Sequence, residues 1–375
     1  MTLLIKVLIV YPLEQRWYDY LNYQFSSEDS INYYILANSK VSNRAKGTIP
    51  VSLGSGGITS RGLLTRMFGG IKELQEIIDK ISPDIVISKE LFSSLSYQVT
   101  RVKGEFKHVI WCDEVISPQV ALYGNFPLTR FYFEHNAKRV KYLFFISHRS
   151  KESLYPYCRK ARKFLVIYPG VDTFLEKPKE KNDKKEFSFL FLGNVASHKG
   201  IKTILTSLPL LRKITDKKFS ITIAGKGPLA NLVQSFAKES DFVRYLGYVS
   251  DQEKKNLLRN CDAFIYPSED INFLWLKRWE EQGAISAIEA MAASLPVIAS
   301  NCGSLPEFIR NDKLLVKQGD EYSLAEKMKL LLEDRDYSLE IGKINLKWSY
   351  ENCNGPEQSK KVNDFLKEIA EDRVV

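Results

Sequence analysis

Short apolar segments that alternate with amphipathic ones are the feature that most constrains the fold of this 375-residue chain. Each apolar segment is a near-continuous run of Val, Ile, Leu and Phe, which is typical of a strand buried on both faces of a parallel sheet. Helices between such strands predict an α/β fold. The predicted strands are Ile5–Tyr11, Asp84–Ser88, His108–Trp111, Tyr142–Ile146 and Phe164–Tyr168 in the first half, and Phe187–Leu192, Phe219–Ala224, Phe242–Leu246, Ala263–Tyr266 and Pro296–Ser300 in the second.

A polar run, Glu176–Glu186, separates the two sets of strands. This run contains no strong apolar group, so it cannot bury itself and is expected to be an exposed connector. The sequence therefore predicts two Rossmann-like domains that face each other across a cleft. Such a pair suits a protein that holds a nucleotide in one domain and a second substrate in the other.

Composition excludes several other classes of protein. No apolar stretch approaches the roughly 20 residues that a membrane-spanning helix needs. The first residues form a strand-like run rather than a signal peptide. The five cysteines are never spaced as Cys-x-x-Cys, which argues against a disulfide scaffold or a structural zinc site. We therefore expect a cytoplasmic protein.

The excess positive charge is confined to the first half of the chain. Residues 1–170 carry 23 Lys and Arg against 14 Asp and Glu, which accounts for the whole formal net charge of +9. The densest basic clusters lie at 138–141 and 159–163, and the aromatic residues among them are predicted to act as amphipathic anchors: Phe131, Tyr132, Phe133, Tyr155 and Tyr157. A solvated surface rich in lysine explains this excess. So does a surface that meets an anionic partner, such as a lipid membrane, a phosphorylated acceptor or nucleic acid.

Two glutamates, Glu281 and Glu289, bracket Gly283 and the start of a helix predicted over 284–294. Glycine loosens the backbone before the helix, and the helix N-terminus offers unpaired N–H groups and a partial positive charge to a phosphate. Eight residues of helix place the two carboxylates up to ~12 Å apart. That distance is comparable to the span from a sugar ring to a ribose across a diphosphate, and carboxylates accept hydrogen bonds from vicinal hydroxyls. Accidental spacing of two ordinary glutamates explains the pair equally well.

A second motif, FLGNVASHKG, ends a predicted strand at Gly193 and carries Lys199 toward the next helix. A lysine in such a loop can place its ammonium group on a phosphate, although many strand–loop–helix turns contain Gly and Lys. The neighbouring His198 is expected to be solvated. No GxGxxG follows the first strand, which argues against a dinucleotide-dependent oxidoreductase.

The order and spacing of seven segments over residues 140–350 resemble the retaining nucleotide-sugar glycosyltransferases of the GT-B fold, specifically glycosyltransferase family four (glycosyl transferases group 1). The segments are YPGVD at 168–172, FLGN at 191–194 with HKG at 198–200, IAGKGP at 223–228, VRYLGYVS at 243–250, CDAFIYPS at 261–268, the helix that joins Glu281 to Glu289, and CGSLPE at 302–307. Their combination is far more specific than any one of them.

This resemblance implies roles for the matching positions. Lys199 matches the lysine that contacts the donor diphosphate, and Glu281 matches the carboxylate that engages the donor sugar beside the reacting centre. Glu289 matches the carboxylate that holds the ribose hydroxyls. The other implied donor-binding residues are Gly283, Ala284 and Ile285, whose backbone amides meet sugar and phosphate, and Arg244, Tyr245 and Leu246, whose main chain contacts the base.

Three positions depart from the family pattern. Asn194, still a candidate donor-binding residue, stands where the family often has arginine, so one phosphate contact is missing. Cys112 stands where members commonly have histidine. We favour its neighbour Asp113 for the contact of the first domain with the donor sugar, because a carboxylate accepts from a hydroxyl better than a thiol does. The segment Glu269–Glu280 is longer than usual, and its two tryptophans suit a sugar, a membrane interface or a local core.

The resemblance also implies a division of the chain: 1–170 as the acceptor side, 171–355 as the nucleotide-sugar side, and 356–375 as a terminal helix that returns to the first domain. The implied reaction is retaining transfer of a hexose from a UDP- or GDP-linked sugar to an acceptor hydroxyl. No metal or further cofactor is expected, because a helix dipole and Lys199 can stabilise the leaving diphosphate.

The expected partners are the nucleotide-sugar donor, a glycan or lipid-linked acceptor, and an anionic membrane surface. Residues 130–163 are expected to contact that surface, at the cytoplasmic face of the membrane. Nucleic acid is the less favoured partner of this surface. Two alternatives remain for the function: a GT-B epimerase or synthase with different acid–base residues in the first domain, and a non-catalytic or nucleic-acid-directed relative.

Overall fold

The computed structural model describes residues 4–13, 25, 28–38, 48–51, 70–71, 73–172, 178–180 and 186–372. Most of the predicted connector over 176–186 lies outside these residues. The chain divides into two units, each with its own parallel sheet. Unit 1 comprises Met1–Gly170, Asn272–Arg278 and Gly355–Val375, and unit 2 comprises Val171–Ile271 and Trp279–Asn354.

Strands and helices alternate along most of the described chain. The strands are β1 (Ile5–Leu13), β2 (Ile31–Asn38), β3 (Thr48–Val51), β4 (Ile85–Lys89), β5 (Lys107–Cys112), β6 (Tyr142–Phe145), β7 (Lys163–Val166), β8 (Phe187–Leu192), β9 (Phe219–Ala224), β10 (Val243–Gly247), β11 (Ala263–Tyr266), β12 (Ile271–Phe273), β13 (Leu276–Trp279), β14 (Val297–Ser300) and β15 (Leu315–Val316). The α-helices are α1 (Leu74–Ile81), α2 (Ser94–Val99), α3 (Pro127–Ala137), α4 (His148–Leu154), α5 (Ile201–Ile214), α6 (Ala230–Glu239), α7 (Asp251–Asn260), α8 (Ile285–Ala292), α9 (Leu305–Ile309), α10 (Glu321–Glu333), α11 (Arg335–Cys353) and α12 (Gly355–Glu371).

The sheet of unit 1 has seven parallel strands in the order β3-β2-β1-β4-β5-β6-β7. Strands β4 and β6 bury every residue, as strands covered on both faces do. The C-terminal helix α12 packs on this unit. Tyr33 donates a 2.5 Å hydrogen bond to Asn363 of the helix, and Lys107 donates to the carbonyl oxygens of Ile369 and Ala370. The lysine thereby satisfies carbonyl groups that the end of a helix leaves without an intrahelical partner.

The sheet of unit 2 has six parallel strands in the order β10-β9-β8-β11-β14-β15. Counted from β8, this is the strand order 3-2-1-4-5-6 of a Rossmann-like sheet, and the direction of winding reverses between β8 and β11. In open α/β sheets, ligands bind outside the carboxyl ends of the strands at such a reversal point. The loops that follow β8 and β11 are therefore the first place to look for a site.

Each of the ten predicted strands is present, with ends within two residues of those predicted. Four features differ from the prediction. Unit 1 has two further strands, β2 and β3, between the first two predicted ones. Unit 2 has a further short strand, β15, after the last predicted one. The helix predicted over 284–294 is shorter, because α8 begins at Ile285 and ends at Ala292. Within the segment Glu269–Glu280, strands β12 and β13 form a two-stranded sheet, which we call the hairpin.

No helix in the described part of the chain is both long enough and apolar enough to cross a membrane.

Candidate active site

The turn after β8 carries Lys199 to the reversal point of the sheet in unit 2. Residues Ser197–Lys199 form a short 3-10 turn, which Gly200 closes with φ of +70°. A Cβ atom at Gly200 would lie 1.9 Å from the carbonyl oxygen of Pro267. Because no side chain fits there, glycine lets the turn lie directly against the residues that follow β11.

Lys199 meets Glu281 at this point. The Lys199 Nζ lies 2.5 Å from the Glu281 Oε2, and the two side chains are only 13% and 6% exposed. The Ser268 hydroxyl donates to the same carboxylate oxygen over 2.8 Å, and the Lys199 ammonium also donates to the Tyr266 hydroxyl over 3.1 Å. The structure thus unites two of the predicted site residues and adds Ser268 and Tyr266 to them.

The environment keeps both members of this pair charged. Burial by itself would raise the pKa of Glu281, but the Lys199 ammonium and the Ser268 and Tyr266 hydroxyls outweigh burial and hold that pKa below its ordinary value. Burial would lower the pKa of Lys199, yet the Glu281 carboxylate and Tyr266 raise it above its ordinary value. At neutral pH the site therefore presents one buried cation and one buried anion side by side.

Trp279 covers this pair. The Lys199 Nζ lies 4.6 Å from the centroid of the Trp279 ring, and the His198 ring meets that ring edge-on at 4.7 Å. His198 is half-buried, and burial together with Lys199 lowers its pKa. His198 is therefore only partly solvated, because its imidazole packs against the tryptophan.

The backbone of Glu281 is fixed by the loop after β14. The carbonyl oxygen of Glu281 accepts a 2.9 Å hydrogen bond from the Ser304 N–H, and its own N–H donates to the Cys302 Sγ. Gly303 has φ of +54°, and a Cβ atom there would lie 2.0 Å from the Glu281 carbonyl oxygen. This close approach positions Glu281 from its main chain.

Helix α8 begins directly after this pair. Its N-cap residue, Ala284, has φ of 42° and makes no side-chain hydrogen bond to the first turn. The Ala287 N–H donates to the Ala284 carbonyl over 2.9 Å, and the Ile285 and Ser286 N–H groups before it can meet an anion. The left-handed residue is Ala284 rather than Gly283, which corrects the prediction that Gly283 supplies the backbone freedom.

Glu289 lies farther along α8 and forms its own ion pair. Its Oε1 is 2.7 Å from the Lys254 Nζ of helix α7. Burial raises the pKa of Glu289 above its ordinary value, although Lys254 opposes this effect. Of the predicted carboxylate pair, only Glu281 is thus bound to Lys199.

The remaining predicted donor-binding residues of unit 2 fall into two groups. Near the loop at Gly225, the Tyr245 hydroxyl donates to the Gly225 carbonyl over 2.9 Å, and Asn194 is exposed beside Gly227. Arg244 and Leu246 instead line a cavity of about 470 Å³ between α7 and the strands β8 to β10. Neither Lys199 nor Glu281 lines that cavity.

Asp113 and Cys112 lie at the carboxyl end of β5 in unit 1. Asp113 is 2% exposed, and its Oδ2 lies 2.5 Å from the Lys89 Nζ, which in turn lies 4.4 Å from the Trp111 ring centroid. Cys112 is fully buried, and burial raises the pKa of its thiol. The contact of Asp113 with a donor sugar stays a prediction.

Sequence reasoning missed four side chains of these sites: Ser268, Tyr266, Lys254 and Lys89. The position of Ser268, two residues after β11, was the available signal, because ligand groups follow the carboxyl ends of parallel strands. Lys254 precedes Glu289 by 35 residues, and no short-range pattern links them. Among the described residues, no group of three His, Cys, Asp or Glu side chains is placed to hold a metal ion.

A family comparison identifies the unit that holds this site. Residues 172–348 match the family model described as glycosyl transferases group 1. This segment of the chain therefore matches that family, which confirms the resemblance predicted from the sequence.

Two curated relatives each match about half of the chain. The N,N'-diacetylbacillosaminyl-diphospho-undecaprenol alpha-1,3-N-acetylgalactosaminyltransferase of Campylobacter jejuni is 30% identical over 184 residues, which cover 48% of this chain and 45% of the relative. The GDP-mannose-dependent alpha-(1-6)-phosphatidylinositol monomannoside mannosyltransferase of Mycobacterium tuberculosis is 27% identical over 219 residues, which cover 53% and 54%. The chain thus matches about half the length of these relatives.

A solved structure matches nearly the whole chain. Sucrose-phosphate synthase from Thermosynechococcus elongatus superimposes with a TM-score of 0.74 over 98% of this chain and 99% of that one, at 16% sequence identity. At this identity the likeness concerns the fold alone. It confirms the predicted GT-B fold class.

Proposed function

We propose that this protein is a retaining glycosyltransferase that moves a hexose from a UDP- or GDP-linked sugar to an acceptor hydroxyl. The observation that carries the proposal is the buried Lys199–Glu281 pair at the reversal point of the sheet in unit 2, directly before helix α8. This site lies inside the segment that matches the group 1 family model. Unit 2 is then the donor unit and unit 1 the acceptor unit.

Each group of the site has a task in this reaction. The bond between the sugar C1 and the diphosphate oxygen breaks, and negative charge develops on the leaving diphosphate. The Lys199 ammonium and the first-turn N–H groups of α8 stabilise that charge without reorganising. Glu281 accepts hydrogen bonds from the sugar, and its negative charge faces the positive charge that develops on the ring. The acceptor oxygen then bonds to C1, and its proton passes to the departing diphosphate or to water.

These positive groups supply the charge that a divalent cation provides in other transferases, so we propose that no metal is required. The acceptor is proposed to be a lipid-linked molecule or a glycan. Support comes from the two relatives, whose names specify a diphospho-undecaprenol and a phosphatidylinositol mannoside.

The function is tested by incubating the protein with a panel of UDP- and GDP-sugars in the presence of EDTA. We expect one donor to raise the melting temperature by mass action, slow hydrolysis of that donor in the absence of acceptor, and release of the sugar with its anomeric configuration kept. Recovery of an epimerised donor would support an epimerase instead. No stabilisation by any member of the panel would contradict the proposal.

Glu289→Ala is expected to weaken donor binding about 10–100-fold, because a hydrogen bond to a charged group contributes about 1.5–3 kcal/mol. Turnover at saturating donor should change little, since the proposed partner of Glu289 is the ribose, remote from the breaking bond. In the wild-type protein, donor affinity should fall as the pH drops through the raised pKa of Glu289, and the variant should lack this dependence.

Calorimetric titration of the donor over a pH series measures both effects. Glu326→Ala, an exposed glutamate on helix α10, is the matched control and should leave the affinity unchanged. Equal donor affinity in the wild type and Glu289→Ala would remove Glu289 from the donor site.

We further propose that the basic surface of residues 130–163 docks unit 1 on an anionic membrane. Lys138, Arg139, Arg159 and Lys160 are exposed, and the half-exposed Phe131 ring adds an amphipathic contact. The structure corrects one part of this surface. Phe133, predicted to be an aromatic anchor, is buried and stacks on the Phe92 ring at 4.6 Å.

Replacing Lys138, Arg139, Arg159 and Lys160 together with serine should weaken binding to anionic vesicles at least 100-fold, because each basic residue near an anionic leaflet contributes about 1 kcal/mol. Sedimentation with phosphatidylglycerol vesicles at low and high salt measures this loss, and salt should weaken binding of the wild type more than it weakens binding of the variant. Serine at Lys213, Lys217, Lys218 and Lys238, four exposed lysines of unit 2, removes the same charge as a control. Equal losses in both variants, or tighter binding to duplex DNA than to vesicles, would contradict the assignment.

A further inference from the structure

The hairpin ends in three consecutive large apolar side chains that face solvent. Phe273, Leu274 and Trp275 are 58%, 71% and 80% exposed. Scattered single apolar residues on a surface need no explanation, but a contiguous exposed group marks a surface that meets a partner.

The turn of the hairpin makes this group more unusual. Leu274 has φ of +55°, the left-handed region in which turns favour Gly, Asn or Asp. A leucine in this conformation is strained and buries little of its side chain. The stability of the folded chain therefore gives no reason for leucine at this position, which points to a role for the side chain outside the fold.

The base of the hairpin is held in place. The Lys277 N–H donates to the Val120 carbonyl over 2.8 Å, and the Lys277 carbonyl accepts from the Leu122 N–H over 2.7 Å. All of these residues belong to unit 1. Val120 is itself 43% exposed, so the segment that supports the hairpin adds a further apolar side chain. The apolar tip is thus presented on paired backbone rather than on an unpaired loop.

Charge around the tip favours one kind of partner. No acidic residue occurs between Asp270 and Glu280, whereas Lys277 and Arg278 follow the tip and Arg278 is exposed. Tryptophan, phenylalanine and leucine beside basic residues are the composition of segments that lie in the interface of a bilayer. A sugar would instead require hydrogen-bonding groups around an aromatic face, and Asn272 is the one polar side chain next to Phe273.

We propose that the tip formed by Phe273, Leu274 and Trp275 inserts into the interfacial layer of a lipid bilayer as an apolar anchor. The anchor goes beyond the proposed sugar transfer and does not depend on it. It also differs in kind from the basic surface, because insertion of apolar groups persists at high salt whereas attraction between charges is screened.

The test is sedimentation of the full chain with vesicles of phosphatidylcholine alone and of phosphatidylcholine mixed with phosphatidylglycerol. The double variant Leu274→Ser with Trp275→Ser should bind both kinds of vesicle at least tenfold more weakly, at low and at high salt, because each side chain loses its transfer from water. Tyr248→Ser with Tyr322→Ser, which removes two exposed rings from unit 2, should bind like the wild type. The melting temperatures of both variants establish that they are folded.

A second readout uses Trp275 directly. Brominated phosphatidylcholine should quench part of the tryptophan emission of the wild type, and Trp275→Phe should abolish that quenching while the chain still binds. Equal vesicle binding by the wild type and the folded double variant would overturn the proposal. So would a double variant that keeps vesicle binding but loses transfer to a water-soluble acceptor, because the tip would then contact the acceptor. Since vesicle binding needs no donor, failure of the proposed transferase activity leaves this test intact.

Discussion

Lys199→Met is expected to lower the rate of sugar transfer by about 10²–10³, the usual cost of removing one preorganised charge from a transition state. It should also destabilise the chain by about 3–5 kcal/mol, because Glu281 is then buried without its cationic partner. Steady-state kinetics with saturating donor measure the first effect, and urea unfolding measures the second.

The double variant Lys199→Met with Glu281→Gln separates these two effects. With both charges removed, the buried ion pair becomes two neutral groups and most of the lost stability should return. The transfer rate should not return, since neither the diphosphate nor the sugar regains its contact. Wild-type rates in Lys199→Met, Glu281→Gln and the double variant would show that the reaction takes place elsewhere.

Gly303→Ala is expected to reduce stability by more than ~3 kcal/mol, at the upper end of single-substitution effects, and to reduce transfer as well. The new Cβ would stand 2.0 Å from the Glu281 carbonyl oxygen, so the backbone that carries Glu281 must move. Gly319→Ala is the matched control: Gly319 also has positive φ, at +71°, but nothing lies within 4 Å of its Cβ position. That variant should lose only the roughly 1–2 kcal/mol of a left-handed non-glycine residue.

Urea unfolding and transfer rates of the two alanine variants test this difference. If Gly303→Ala and Gly319→Ala lose the same stability and keep the same rate, the close packing of the loop after β14 on Glu281 does not position the carboxylate.

The strands of both sheets were predictable because most of them are buried on both faces and appear as unbroken apolar runs. Strand β2 was missed because INYYILAN mixes apolar, amide and tyrosine side chains, and β3 was missed because it has only four residues, one of them proline. The hairpin was missed because of where its apolar side chains lie. Its apolar side chains face solvent, whereas the periodicity rules assume that such side chains face a core.

Lys199 and Glu281 were predicted because each lies in a motif of the family resemblance, and the structure joins them although 82 residues separate them. Lys254 lies in no motif that the sequence analysis assigned to the site, and packing of α7 near α8 brings it to Glu289. The backbone freedom before α8 was assigned to Gly283, because glycine is the usual choice for unusual backbone angles. The residue with positive φ is instead its buried neighbour Ala284.

Calorimetric titration of UDP and GDP into the wild-type chain and Lys199→Met, with EDTA present, tests the central claim most directly. We predict that one of the two nucleotides binds the wild type with a stoichiometry of one, and that the variant, still folded by its melting temperature, binds it at least tenfold more weakly. A charge-assisted contact to phosphate accounts for a loss of that size. Absence of binding by either nucleotide, or equal affinity for the wild type and Lys199→Met, would contradict the assignment of a donor site to unit 2.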